Sequence, residues 1–274
     1  ALTGSAKTIC AGTQIQLGAT AVTGNTYSWT SNPSGFTSTV ANPFVTPTIT
    51  TTYTLLETAG AGCNKTNSVT ITVNPIPVIQ VNPASTSICL GGSAQLSASG
   101  ATSYSWNPFT SLNNGNINNP MASPNANTTY TVVGTDANGC SASATTAVAV
   151  NIPPVVSVNP SSALFCGGQN VVLTASGAAN YIWSPATGLN ATTGSTVVAS
   201  PTITTQYFVT GISAAGCSNN DSVLVTVYNL PQVTSTPVSD WICNGTSTVL
   251  NASGAISYTW SPAASLSASI GATV

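Results

Sequence analysis

Residues of the same type recur along this chain at a spacing of 77 positions. The clearest series is Trp29, Trp106, Trp183 and Trp260, in which every step is 77 residues. Self-similarity at a fixed period is the sequence signature of a tandem array. Further series keep this register, apart from a step of 79 between Cys10 and Cys89: Tyr27, Tyr104, Tyr181 and Tyr258; Tyr53, Tyr130 and Tyr207; Cys10, Cys89, Cys166 and Cys243; Cys63, Cys140 and Cys217.

The period predicts four domains, three of them full units. They are residues 1–74 (repeat 1), 75–151 (repeat 2), 152–228 (repeat 3) and 229–274 (repeat 4, partial). By the period, the second cysteine of repeat 4 would fall beyond residue 274, so we expect this chain to be a piece of a longer array. The alternative is that repeat 4 has an open sheet edge that accepts a strand from a neighbouring chain.

Alternating polarity within each unit predicts β-strands. In "TQIQLGA" the residues Ile15, Leu17 and Ala19 share one face, and "SAQLSAS" and "NVVLTAS" repeat the pattern in repeats 2 and 3. Ser, Thr and Gln take most positions on the other face, as in a half-buried strand. Asn138-Gly139 is a dipeptide that favours a tight hairpin. We therefore predict an all-β fold, a tandem array of small antiparallel Ig-like or PKD-like β-sandwich modules.

Proline-containing segments lie where the units meet. They read "NPIPV" (74–78), "NIPPV" (151–155) and "YNLPQV" (228–233). Proline lacks a backbone donor and favours extended neighbours, which makes such spacers short and stiff. We expect the modules to line up into a rod.

The composition excludes several classes of function. Only 2% of the residues are charged, the net charge is −2 and there is no histidine. This gives no basic surface for nucleic acid and no polybasic membrane patch, and no apolar run is long enough to span a bilayer. The carboxylates are scattered over different units, and no proton shuttle near neutral pH is present. We predict that the chain is not an enzyme and has no cofactor, metal site, nucleic-acid partner or membrane insertion.

Seven cysteines allow metal binding, catalysis or disulfides. Zinc knuckles and the histidine base of a nucleophilic cysteine are both missing from the sequence. One disulfide per module is the remaining interpretation: Cys10–Cys63, Cys89–Cys140 and Cys166–Cys217, with Cys243 unpaired. Closing a loop of roughly 50 residues would stabilise a small module by about 4 kcal/mol in the chain-entropy treatment. Disulfides persist in oxidising compartments, so we expect an extracellular or cell-surface protein.

The tryptophan series has two interpretations. Trp29, Trp106, Trp183 and Trp260 are predicted to lie on a central strand, where an indole fills a small core. The alternative is a stacking platform for sugars. The core interpretation is favoured because small sandwiches need one large buried side chain.

The motifs "ICLGGSAQLSASGATSYSWNP" and "SPNANTTYTVVGTDANGCSASATTAVAVNIPP" resemble the PKD-like and immunoglobulin-like repeats of secreted Bacteroidota cell-surface proteins. That group includes gliding adhesins and cargo of the type IX secretion pathway. The resemblance implies β-sandwich modules with a role in adhesion, gliding or fibre building. It also implies O-glycosylation at an Asp-Ser/Thr-apolar triplet, which "DSV" fits at Ser222, although the PKD Gly-Asp-Gly loop is missing.

Two hypotheses of function follow. The first is a structural extracellular protein that forms a stiff stalk, fibre or filament, with itself as partner through end-to-end or lateral packing. The near-absence of charge would permit that packing. The alternative is an adhesin whose repeats bind surface glycans or another surface. An enzyme would require a catalytic domain outside this sequence.

Overall fold

The computed structural model describes residues 6–274, and the regular structure in this range is almost entirely β-strand. The one exception among these residues is a short 3-10 helix, η1 (Ala263–Ser265). The predicted all-β fold class is therefore confirmed. The chain divides into two compact units, Ala1–Ile152 and Pro153–Val274.

Repeat 1 forms a five-stranded sheet and a two-stranded sheet. The large sheet has the order β1-β7-β6-β3-β4, and β2 pairs with β5. The strands are β1 (Lys7–Cys10), β2 (Ile15–Gln16), β3 (Thr26–Asn32), β4 (Thr37–Ser38), β5 (Phe44–Val45), β6 (Thr51–Thr58) and β7 (Asn64–Asn74).

Repeat 2 forms a four-stranded sheet and two short strand pairs. The order of the large sheet is β12-β14-β15-β9, while β10 pairs with β13 and β11 with β8. The strands are β8 (Gln80–Asn82), β9 (Ser85–Cys89), β10 (Ala94–Gln95), β11 (Ser97–Ser99), β12 (Ser103–Asn107), β13 (Met121–Ala122), β14 (Thr128–Thr135) and β15 (Ser141–Asn151).

Repeat 3 forms a four-stranded and a three-stranded sheet, with the orders β17-β22-β21-β19 and β16-β18-β20. Its strands are β16 (Ser157–Asn159), β17 (Ser162–Cys166), β18 (Val171–Ser176), β19 (Asn180–Ser184), β20 (Thr196–Ala199), β21 (Thr205–Ile212) and β22 (Ser218–Tyr228). Repeat 4 contains an antiparallel pair, β23 (Thr234–Thr236) and β24 (Asn251–Ser253).

The larger sheets of the three full repeats share one topology. The cysteine-ending strand, β1, β9 or β17, pairs in parallel with the last strand of its repeat, β7, β15 or β22. The last strand is antiparallel to the strand before it, which in turn is antiparallel to the tryptophan strand. Each repeat therefore ends in one long hairpin at the centre of its larger sheet.

Alternation along these strands separates core from solvent. In β6, Tyr53 and Leu55 are buried, whereas Leu56 is exposed, and β14 and β21 follow the same pattern. The predicted inward face holds for Leu17, but Ala19 is exposed because β2 ends at Gln16 and the chain turns at Gly18, where φ is 72°. Each full repeat has its own cluster of buried apolar side chains.

The segment that leads into repeat 2 is packed against that repeat. A Cβ atom added at Gly100, where φ is 101°, would lie 2.0 Å from the carbonyl oxygen of Val78. One added at Gly134 would lie 2.4 Å from Cδ1 of Ile79. In repeat 3, Gly177 and the carbonyl oxygen of Val155 repeat the first of these contacts, with a Cβ distance of 1.8 Å. The glycines allow the junction segment to lie directly on the sandwich that follows it.

Candidate functional site

A disulfide joins repeat 1 to repeat 2 within the unit Ala1–Ile152. It links Cys10, the last residue of β1, to Cys140, which directly precedes β15. The two Cα atoms are 5.5 Å apart, and 130 residues separate the cysteines in sequence. In the chain-entropy treatment, a cross-link across a loop of this length stabilises the folded state by about 5 kcal/mol. The bond is a second covalent connection between repeats that are already consecutive in the chain.

The predicted pair Cys10–Cys63 is wrong, and the sheet register explains why. Strand β1 runs parallel to β7, with Cys10 opposite Asn74 at the far end of β7. Cys63 lies just before Asn64, where β7 begins. The ten residue steps from 64 to 74 extend roughly 33 Å at 3.3 Å per residue, whereas a disulfide needs Cα atoms within about 7 Å. The two cysteines lie at opposite ends of repeat 1.

The same register overturns the other two predicted pairs. Cys89 lies opposite Asn151 and Cys140 precedes Ser141, so Cys89–Cys140 cannot form. Cys166 lies opposite Tyr228 and Cys217 precedes Ser218, which separates Cys166 from Cys217 in the same way. Cys89 and Cys217 are each in a disulfide, whereas the free, exposed cysteines are Cys63, Cys166 and Cys243.

The hairpin that carries Cys140 is held by Asp136. The carboxylate oxygen Oδ1 of Asp136 accepts the backbone N–H groups of Asn138 (2.9 Å) and Cys140 (2.8 Å). The tight turn uses Gly139, where φ is 79°. Cys140 itself has no exposed surface. In repeat 3 the hydroxyl of Ser213 accepts the N–H of Cys217 in the equivalent position. The hairpin sulfur is thus presented by a locally rigid turn.

The recurrent tryptophans anchor the cores rather than form a ligand platform. Trp29, Trp106 and Trp183 are at most 2% exposed, and Trp260 in repeat 4 is half-buried. Each indole N–H donates to the backbone carbonyl eleven residues further along the chain. The acceptors are Val40 at 2.9 Å, Ile117 at 2.9 Å, Gly194 at 3.0 Å and Gly271 at 2.9 Å. The sequence predicted the burial but gave no signal for this shared acceptor position.

The recurrent tyrosines fix loops to the cores. The hydroxyl of Tyr104 accepts the N–H of Ala101 and donates to its carbonyl, and Tyr181 and Tyr258 do the same with Ala178 and Ala255. The second series is buried, and the hydroxyl of Tyr207 donates to the carbonyl of Thr187 at 2.7 Å. Burial raises the pKa of the Tyr207 phenol. These groups serve packing and loop geometry.

The four carboxylates serve the repeats in which they lie. Besides Asp136, Glu57 accepts from the amide of Asn25 at 2.6 Å, and Asp221 accepts the N–H of Val158 at 2.9 Å. The hydroxyl of Thr248 and the N–H of Trp241 lower the pKa of Asp240. Within residues 6–274 there is no group of three or more His, Cys, Asp or Glu side chains that could hold a metal ion.

Ser222, the candidate glycosylation residue, lies inside β22. It is half-buried and opposite Phe208 of β21, and its hydroxyl accepts from the amide of Gln206 at 3.3 Å. Its neighbour Asp221 ties β22 to the N–H of Val158 in β16. The triplet therefore has a structural role in repeat 3, and its glycosylation stays a prediction.

Three consecutive sandwiches in which a parallel first strand borders a central antiparallel sheet define a tandem immunoglobulin-like protein. The sequence model of the family described as "Ig-like domain CHU_C associated" matches residues 1–75 and 76–154. These matches cover more than half of the chain, and the chain belongs to this family. The predicted tandem Ig-like repeats are confirmed, whereas the type of gliding adhesin or secretion cargo stays a prediction.

Similar solved structures are also multi-domain chains. They include titin domains I67–I69 in an E-to-A variant (14% identity, TM-score 0.41, 83% of this chain and 97% of that one). They also include three N-terminal domains of the bacteriophage RB49 outer capsid protein Hoc (15%, 0.36, 80% and 95%). A Ca2+-stabilised adhesin of an Antarctic bacterium that binds ice is similar at 15% identity (TM-score 0.32, 86% and 77%). A search of curated proteins found no match.

Proposed function

We propose that this chain is a structural spacer, a stiff extracellular stalk, fibre or filament of the bacterial cell surface in which disulfides connect successive sandwiches. The observation that carries the proposal is the Cys10–Cys140 bond between repeats 1 and 2. A peptide linker alone leaves two modules free to swing about it, and relative motion is the default for small interfaces. A second covalent connection at the same junction removes most of that freedom.

Two further features support a mechanical role. The segment before repeat 2 is packed on that repeat at Gly100 and contains Pro75 and Pro77, so little free linker remains. The tryptophan and tyrosine contacts recur from unit to unit, which favours uniform support over one specialised site. Within the described residues, no helix has the length and apolar character needed to cross a membrane. The disulfides favour an extracellular or cell-surface location, because such bonds persist in oxidising surroundings.

The test of this function is whether the inter-repeat bond sets the stiffness of the chain. We would measure small-angle X-ray scattering of the native chain and of the double variant Cys10→Ser/Cys140→Ser. We expect the variant to keep folded repeats but to show a broader distance distribution, because the junction becomes a hinge. Cys243→Ser removes a free, exposed thiol and is the control that should match the native chain. Identical scattering of all three proteins would contradict the stalk.

A second candidate function, adhesion, is favoured by one observation on repeat 3. Four apolar side chains lie on the outer face of its larger sheet and are 46–67% exposed: Leu164, Ile182, Phe208 and Leu224. Their register makes three of them diagonal neighbours across β19, β21 and β22. The positions one period earlier are Ser87, Ser105, Thr131 and Ala147. A face that is apolar in one repeat alone fits recognition of a surface glycan or another surface.

Phe208→Thr tests the adhesin, because it gives repeat 3 the residue found at Thr131. We would titrate the native chain and this variant against a panel of surface glycans. Binding by the native chain that the variant loses would support the adhesin. An absence of binding to every member of the panel would leave the structural role as the better explanation.

A further inference from the structure

Two free cysteines occupy positions at which the equivalent cysteines of other repeats are bonded. Cys63 corresponds to Cys140, because both directly precede the last strand of their repeat. Cys166 corresponds to Cys10, because both end the strand that runs parallel to the last strand. Cys10 and Cys140 are bonded to each other, whereas Cys63 and Cys166 are free thiols. Each free thiol is therefore one half of a bond seen elsewhere in the chain.

The backbone already holds both free thiols in the geometry of the bonded pair. In the Cys63 hairpin, Ala59 N–H donates to the Cys63 carbonyl at 2.8 Å, as Asp136 N–H does to Cys140 at 2.9 Å. After Cys166, Gly167 N–H donates to the Tyr228 carbonyl at 2.9 Å, as Ala11 N–H does to Asn74 at 2.9 Å. No rearrangement of either strand end is needed to present the sulfur.

Exposure separates the free thiols from the bonded cysteines. Cys140 is fully buried and Cys10 is half-buried, whereas Cys63 and Cys166 are both exposed. A shallow groove lined by Val22, Asn25, Glu57 and Lys65 lies beside Cys63. Another, lined by Leu164, Phe165 and Gln169 among others, lies beside Cys166. At both positions, surface that accompanies a bonded cysteine elsewhere is open to solvent.

We propose that Cys63 of one copy of this chain forms a disulfide with Cys166 of a second copy, so that copies join end to end by the bond seen between Cys10 and Cys140. The inference rests on the proposed structural function and identifies a second copy of the chain as the partner. Cys243 is not equivalent to Cys166 in this respect, because it lies outside the strands of repeat 4 and is not held beside a last strand.

The bond forms by thiol–disulfide exchange with a small disulfide such as oxidised glutathione. The Cys63 thiolate attacks one sulfur of the small disulfide, which forms a mixed disulfide and releases one glutathione thiolate. The Cys166 thiolate of the second copy then attacks the Cys63 sulfur and releases the other glutathione. Two protein thiols are oxidised, one small disulfide is reduced to two thiols, and two protons are transferred to them.

The test uses the full chain in a buffer of oxidised and reduced glutathione at pH 8, quenched with N-ethylmaleimide. We expect a ladder of species at multiples of the 27.3 kDa chain on a non-reducing gel, which collapses to the monomer after reduction. Cys63→Ser and Cys166→Ser should each abolish the ladder, whereas Cys243→Ser should leave it unchanged. A mixture of the Cys63→Ser and Cys166→Ser proteins should form dimers and nothing larger, because each supplies one complementary thiol.

Three results would overturn the inference: a monomer only, a ladder that survives Cys166→Ser, or a mixture of the two variants that stays monomeric. A disordered variant would show itself by far-UV circular dichroism, and the Cys63→Ala and Cys166→Ala pair then replaces the serine pair in the same mixture. The scattering experiment on single chains is independent of this outcome. A native chain that keeps its stiffness but never multimerises contradicts the second-copy partner and leaves the proposed function intact.

Discussion

Cys10 and Cys140 are bonded with their Cα atoms 5.5 Å apart, although one ends a strand of repeat 1 and the other begins the last strand of repeat 2. The bond therefore lies at a junction between modules and does not close either of them. Stability within each module comes instead from its own cluster of buried side chains around a recurrent tryptophan. Covalent cross-linking and core packing have separate roles in this chain.

The position of the two lysines makes this pairing directly measurable. Lys7 and Lys65 are the only basic residues, so trypsin yields the fragments 1–7, 8–65 and 66–274. With Cys10 bonded to Cys140, we expect fragment 8–65 to stay attached to 66–274 after denaturation with free thiols blocked. Reduction should release it, and mass spectrometry checks both. Free release of 8–65 without reduction would indicate a Cys10–Cys63 bond and contradict the inter-repeat connection.

The sequence predicted the modules and their cores far better than their cross-links. The series at Trp106 and Tyr130 identified buried positions, because burial follows from residue type and from alternation along one strand. The disulfides depend on which strands are neighbours, and a period of 77 residues pairs Cys63 equally well with the first cysteine of its own or of the preceding repeat. The parallel pairing of Cys10 with Asn74 decides between them. That pairing leaves no mark on local polarity.

The indole hydrogen bond predicts a measurable loss of stability in repeat 2. Trp106→Phe removes part of a buried side chain and leaves the carbonyl of Ile117 without its donor at 2.9 Å. We expect a loss of about 2 kcal/mol in local stability, from the cavity and the unsatisfied carbonyl together. Hydrogen exchange measured by mass spectrometry over β14 would report it.

The fifth tryptophan provides a matched control for that change. Trp241 is 96% exposed, so Trp241→Phe makes the same chemical substitution without disturbing a core. We expect a change within about 0.5 kcal/mol. Equal effects of the two substitutions would mean that Trp106 does not anchor its sandwich.

Gly100 and Gly91 separate the effect of crowding from that of backbone conformation. Both have positive φ, at 101° and 85°, but a Cβ at Gly100 would lie 2.0 Å from the Val78 carbonyl, whereas nothing lies within 4 Å at Gly91. We expect Gly91→Ala to cost about 1 kcal/mol for the left-handed conformation alone. Gly100→Ala should cost about 3 kcal/mol, because the junction segment must also move. Calorimetric unfolding of the two variants, with equal shifts as the contrary result, checks whether the junction packs on repeat 2.

Tyr207 predicts a loss of stability at alkaline pH. Burial raises the pKa of its phenol in the folded state, while in the unfolded chain a tyrosine ionises near pH 10. The unfolded state therefore releases the proton first, so this contribution to the free energy of unfolding is intact below about pH 10 and falls as the pH rises further. We expect urea unfolding midpoints to drop between pH 8 and pH 10.5, with thiols blocked against exchange. Tyr207→Phe loses the hydrogen bond to Thr187 and should start lower at pH 8, but it should show a smaller drop. A variant that falls as steeply as the native chain would assign the alkaline loss to other groups.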